Sequence, residues 1–143
     1  MKSKRVILTI VLVGIMLSLT ATANAYVVFR TWPNSNNVYY VTTTALGSES
    51  VTAFGNANIA WNNVANANKN IYRSGSTSAT SVSRNGTNEV VKYYISSSGP
   101  LMATSVWQSN GYIAEFDMAI NAAFNWRTDG APNAYDVQNC ATH

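Results

Sequence analysis

The chain has 143 residues, 47% hydrophobic and only 10% charged, with nine Lys or Arg against six Asp or Glu for a formal net charge of +3. That excess is N-terminal: beyond Lys2, Lys4 and Arg5, the cations Arg30, Lys69, Arg73, Arg84, Lys92 and Arg127 balance Glu49, Glu89, Glu115, Asp117, Asp129 and Asp136. No basic cluster remains to neutralise a phosphate backbone, which argues against nucleic acid, and Cys140, the single cysteine, rules out an internal disulfide.

Lys2, Lys4 and Arg5 precede an apolar run over 6–19, and Ala23-Asn24-Ala25 follows with small residues at both cleavage-determining positions. Residues 1–25 therefore read as an export signal, with the mature chain starting at Tyr26. The run is shorter than the roughly 20 residues needed to cross a bilayer as a helix. The expectation is a secreted, extracellular product without stable membrane association after cleavage. Residues 26–143 are enough for one domain that buries a core without disulfides. In an exported chain an odd cysteine points to a partner on another chain, or to one lost from this chain.

In chain order, Val38-Tyr39-Tyr40-Val41 reads as the first strand, after the turn-forming Pro33-Asn34-Ser35-Asn36-Asn37. Val51, Phe54, Asn58, Trp61 and Ala65 recur at steps of three or four, predicting a helix at about 49–67. Ser48 or Ser50 is its expected cap, and Asn56, Asn62, Asn63 and Asn66 are expected to face water. Ile71-Tyr72-Arg73 predicts a short strand, followed by an irregular polar stretch through Asn85-Gly86. Strands are predicted at 90–95 and 102–107, separated by the turn Ser96-Ser97-Ser98-Gly99-Pro100. After Ser109-Asn110-Gly111, residues 112–120 alternate with period two. Tyr112, Ala114, Phe116, Met118 and Ile120 share one face, and Glu115 and Asp117 the other. Residues 135–143 read as the opening of a helix, with Asp136 in or beside its first turn. Two turns are short for an independent helix. This order predicts an α+β domain with a twisted mixed sheet covered by helices.

The run Tyr135-Asp136-Val137-Gln138-Asn139-Cys140-Ala141-Thr142-His143 resembles the start of the active-site helix of the matrixins, zinc metallopeptidases of the metzincin clan. Arg30-Thr31-Trp32-Pro33 with Val38-Tyr39-Tyr40-Val41 is similar to that family's first strand, and the segment around Trp61-Asn62-Asn63-Val64 to its first long helix. Residues 101–107, Gly111-Tyr112-Ile113, 116–121 and Phe124-Asn125-Trp126 are similar to the strand–turn–strand block before the active-site helix. The resemblance covers about residues 28–143. It implies an incomplete metzincin-like upper subdomain: a long N-terminal helix, and an active-site helix that only begins. It implies a secreted zinc-dependent metalloendopeptidase acting on proteins or peptides, monomeric, and inactive as these residues stand. His143 is by resemblance the first zinc ligand of His-Glu-x-x-His-x-x-Gly-x-x-His, and the general-base glutamate would follow it. Met102, Ala103 and Thr104 would line a cleft where substrate adds as an antiparallel strand. Asp117 lies near a position where some relatives bind structural calcium, and Glu115 where some have a metal-binding histidine. The acidic, glycine-rich calcium loops are not evident, so calcium has no support.

The chemistry needs more than is present. Two histidines at i and i+4 on a helix suit neighbouring positions of a tetrahedral zinc, whose bound water a neighbouring glutamate can deprotonate. This chain has one histidine. Other readings stay open. His143 reads alternatively as a solvated terminal residue. Asp136, Cys140 and His143 at i, i+4 and i+7 form a different candidate metal set. Cys140 reads as a small buried hydrophobe facing the sheet. Glu115 and Asp117 invite comparison with a glycosidase carboxylate pair, or form a polar outer strand face. Residues 102–107 also read as a plain core strand with Trp107 packed inside. Asn85-Gly86-Thr87 is a glycosylation sequon or a simple turn. The alternative function class is a non-enzymatic secreted binding or adhesion module.

Overall fold

In a computed structural model, the structure describes residues 31–33, 37–65 and 68–143. The expected export signal, Arg30 and Asn66 lie outside the described residues. The fold is α+β. Among the described residues, one five-stranded mixed sheet has the order β2-β1-β3-β5-β4, and two α-helices lie on one of its faces. The strands are β1 Asn37–Thr43, β2 Asn70–Thr77, β3 Glu89–Tyr93, β4 Met102–Ser109 and β5 Tyr112–Asn121. β1, β2, β3 and β5 run parallel, and β4 pairs antiparallel with β5 at the margin.

β1 is rich in β-branched and aromatic residues, and Val38, Tyr40 and Thr42 are buried on its helix-facing side. Gly47, at φ +77°, turns the chain into helix α1, Ser48–Asn62. Only glycine takes that φ without steric cost. The capping residue is thus Gly47, with no side-chain bond, rather than Ser48 or Ser50. The buried face of α1 is Ala53, Phe54 and Ala57, whereas Trp61 remains about half exposed at 49%. Of the predicted stripe, Phe54 enters the core and Val51 packs against it, with Ala53 and Ala57 buried beside them.

α1 stops at Asn62, five residues before the expected end, because of what Asn62 does. Its amide donates to Ile71 O at 3.0 Å and its Oδ1 accepts from Ile71 N at 2.8 Å. One side chain satisfies both polar groups of a β2 residue, so Asn62 faces the sheet rather than water. β2 in turn has eight residues, not three. Ser74 is an extra residue in its pairing with β1, opposite the step from Tyr40 to Val41. Its hydroxyl donates to Tyr40 O at 3.1 Å. Ser-Gly-Ser-Thr has little strand propensity; the parallel partner recruits it.

The core packs Tyr40, Leu46, Phe54, Val90, Ile120 and Val137 between helices and sheet, with Phe116, Met118 and Met102 against it. β4 and β5 are joined by Asn110 and Gly111 at φ +51° and +81°, the pair of positive angles a two-residue hairpin turn demands. Trp32 packs edge-on to Phe116 with centroids 5.9 Å apart. A second, unpredicted sheet joins β6 Trp126–Arg127 in parallel to β7 Tyr135–Asp136, with Tyr135 against Phe124 and Trp126. Because β7 uses Tyr135 and Asp136, helix α2 begins at Val137 and spans Val137–Thr142.

Two expectations are corrected. Glu115 and Asp117 are not on an outer face: they are 3% and 0% exposed, beneath the loop 78–88. The residue of α2 that faces the core is Val137, at 1% exposure, with Ala141 beside it. Cys140 is half-buried, one helical position away, over Arg127, Gly130 and Tyr135.

Phe54 is the largest side chain that α1 contributes to the core. Phe54→Ala should lower unfolding stability by about 3–5 kcal/mol, the cost of deleting a buried aromatic ring. Equilibrium urea denaturation checks it, and a loss under about 1 kcal/mol would contradict this packing.

Candidate functional site

α2 is held at both ends. Asp136 caps it by accepting from Asn139 N at 2.8 Å, which satisfies a first-turn donor and places negative charge at the positive end of the dipole. At the other end the Trp61 indole N–H donates to Thr142 O at 2.9 Å, and His143 N–H reaches Asn139 O at 3.3 Å. His143 is exposed at the rim of an apolar cavity of about 230 Å³. Tyr40, Phe54, Trp61, Ile71, Phe116 and Met118 line it between α1, α2 and the sheet. Within it, the Tyr40 hydroxyl accepts from Asn58 at 2.8 Å. Burial pushes that phenol's pKa up, partly offset by the Asn58 bond and by the charge of Arg73.

The residues around His143 do not assemble a zinc centre. A tetrahedral site needs three or four protein ligands, and His143 supplies one. Among the described residues no group of three His, Cys, Asp or Glu side chains could hold a metal ion. The expected alternative of Asp136, Cys140 and His143 fails as well, because Asp136 is committed to the helix cap. Burial, and then the Asp136 charge, raise the Cys140 thiol's pKa. A thiol held protonated is a weak nucleophile and a weak metal ligand.

Met102, Ala103 and Thr104 lie on β4, opposite Ile120, Ala119 and Met118. β4 is the last strand in the order, so one of its edges is unpaired within the sheet. Met102 is half-buried against the core, while Ala103 and Thr104 are exposed. Trp107 is opposite Glu115, on the face away from the core, and half-buried there. It is not packed inside the apolar core.

That opposite face carries Glu89, Glu115 and Asp117, all buried. Asp117 accepts from Ser83 N and Glu89 N, each at 2.9 Å. Glu115 accepts from Asn85 N and Gly86 N, each at 2.8 Å. Glu89 accepts from the Thr77 hydroxyl at 2.8 Å and the Asn85 amide at 3.0 Å. All six carboxylate oxygens thus meet N–H or O–H donors, four from the covering loop, one from Thr77 at the end of β2 and one from Glu89 at the start of β3, which leaves no open pair for sugar chemistry. Burial is the main cause that raises the Asp117 pKa. The two N–H bonds oppose it, and the neighbouring Glu89 and Glu115 charges add to it.

Two asparagines to which the sequence assigned no role complete the frame. Asn88 donates to Tyr39 O at 2.7 Å and accepts from Phe116 N at 2.8 Å, bridging β1 to β5 where β3 has not yet begun. Asn121, fully buried, donates to Ser96 O and Pro100 O and accepts from Ile95 N and Ala123 N. The available signal was position: each adjoins the predicted start or end of a strand. Among the described residues no helix is long and apolar enough to cross a membrane. No family model, curated protein or solved structure matches the chain.

The Asp117 shift has a definite sign. Its folded value lies above the unfolded one, so the folded state binds the proton more tightly, and stability falls as pH rises between the two values. The side-chain carboxyl resonance of Asp117 should titrate above the ordinary aspartate range, and Asp117→Asn should flatten the stability curve across that window. Titration at or below the ordinary range would refute the assignment.

Proposed function

We propose that residues 26–143 supply the N-terminal part of the catalytic domain of a secreted, matrixin-like zinc metalloendopeptidase. The observation that carries this reading is His143 itself. It ends a helix that begins with the family-like Asp-Val pattern, caps correctly on Asp136, and brings one imidazole to the rim of a sheet-floored apolar cavity. The antiparallel edge strand β4 supports it, because an extended peptide can add to such an edge through main-chain bonds. Met102, Ala103 and Thr104 are then the cleft residues, and a protein or peptide is the substrate. In the family pattern the glutamate and the second imidazole come from residues after His143. No step through a metal follows from the residues described, and these residues alone should be inactive. The reading frame beyond codon 143 should encode Glu-x-x-His, and a protein carrying it should show proteolysis abolished by a chelator. A frame lacking both residues would end the peptidase reading.

A second reading, a non-enzymatic secreted binding module, has one observation in its favour. Among the described residues every buried side-chain nitrogen and oxygen has a partner, and apolar side chains fill the core between helices and sheet. Such a module should unfold in one cooperative transition at a midpoint unchanged by a chelator. Aggregation or a broad, non-cooperative melt would instead favour the peptidase part.

A further inference from the structure

Loop 78–88 presents Asn85-Gly86, and both residues are held by buried carboxylates. In an Asn-Gly pair the peptide nitrogen of glycine can attack the asparagine side-chain carbonyl carbon. The bond from Gly86 N to Asn85 Cγ would form, and the bond from Cγ to Nδ2 would break. The amide proton leaves, and Nδ2 departs as ammonia. Water then opens the resulting five-membered imide at either carbonyl, leaving aspartate or isoaspartate at position 85. Glycine exposes its nitrogen because it has no Cβ, and the loop requires glycine here, since Gly86 sits at φ +83° with open space where a Cβ would be.

The folded geometry restrains each group this reaction needs. The attacking nitrogen, Gly86 N, donates its proton to Glu115 Oε2 at 2.8 Å, and the adjacent Asn85 N donates to Glu115 Oε1 at 2.8 Å. The leaving group, Asn85 Nδ2, donates to Glu89 Oε2 at 3.0 Å and Ser83 Oγ at 3.4 Å. The carbonyl oxygen Oδ1 accepts from Thr87 N at 2.9 Å. Glu115 and Glu89 are each 3% exposed, so these charge-assisted bonds are shielded from water. We propose that Asn85-Gly86 is a self-modification site that Glu115 and Glu89 hold unreactive, and that its conversion releases the loop from the sheet. A carboxylate at 85 puts an acceptor where Nδ2 gave Glu89 a donor, so two like charges meet in a buried setting. Isoaspartate adds a methylene to the main chain between the two N–H groups that Glu115 grips as a pair, and they no longer fit one carboxylate. Either product acts as a one-way release.

The test follows aspartate and isoaspartate at 85 by peptide mapping of the folded full chain and of the same chain in denaturant. Native protein should convert about tenfold or more slowly than the denatured chain, the effect of losing one or two hydrogen bonds to a charged acceptor. Glu115→Gln should speed conversion at 85 by about tenfold. Conversion at Asn110-Gly111, in the β4–β5 hairpin turn, should stay unchanged. Equal rates in native and denatured wild type would overturn the proposal. So would a Glu115→Gln variant that slows reaction at 85, since Glu115 would then be the activating base. Acceleration at 85 and 110 together would assign the protection to global folding and also overturn it. Should Glu115→Gln not fold, Glu89→Gln and the native–denatured comparison on wild type carry the same decision. Protein converted at 85 should exchange the Ser83, Gly86 and Glu89 amide hydrogens faster than unconverted protein; identical exchange would refute the release step.

Discussion

Four main-chain N–H groups between Ser83 and Glu89 end on two carboxylates of a single strand, and the remainder of the sheet relies on that attachment. A largely parallel sheet needs both faces covered. One face receives α1 and α2 through ordinary apolar packing. The other receives an irregular loop whose only apolar residues are Ala79 and Val82. Hydrophobic burial cannot hold such a loop, and its backbone polar groups need partners once water is excluded. Glu115 and Asp117 supply them, and Glu89 ties the loop's two ends through Thr77 and Asn85. The raised Asp117 pKa is chiefly the cost of burying that carboxyl, with the neighbouring Glu89 and Glu115 charges adding to it.

The same logic recurs wherever a strand lacks a neighbour. Asn62 pairs with both main-chain groups of Ile71, Asn88 stands between β1 and β5, and Asn121 gathers the backbone of the turn after β3 and of the segment after β5. Trp126 donates its indole N–H to Asn121 O at 2.8 Å and so couples the small second sheet to the large one. An amide that both donates and accepts can replace a missing strand residue. The high asparagine content of this weakly charged chain therefore does structural duty at the sheet's ends.

This division of labour leaves the helix-covered face for function. The carboxylates are committed to structure, Asp136 to a helix cap, and Cys140 to a half-buried position with its thiol kept protonated. What remains open is the apolar cavity with His143 at its rim and the unpaired edge of β4. The peptidase reading rests on that pair of features together with the sequence resemblance, and the metal chemistry it would need lies in ligands beyond the single imidazole.

Local pattern was enough to read the strand cores of β1, β3, β4 and β5, the Asn110-Gly111 turn, a helix beginning near residue 49 and an α+β order. Alternation, helical spacing and turn residues are properties of neighbours in the chain, so they are visible without a fold. The strand position of Met102, Ala103 and Thr104 was legible, and their role and that of His143 rest on the resemblance. Tertiary structure alone decided the rest. The end of α1 was set by Asn62 meeting β2, the length of β2 by its parallel partner, and the burial of Glu115 and Asp117 by a loop about thirty residues upstream. A period of two tells which residues share a face, but which face is covered depends on what the chain folds over it, and that contact has no local signature.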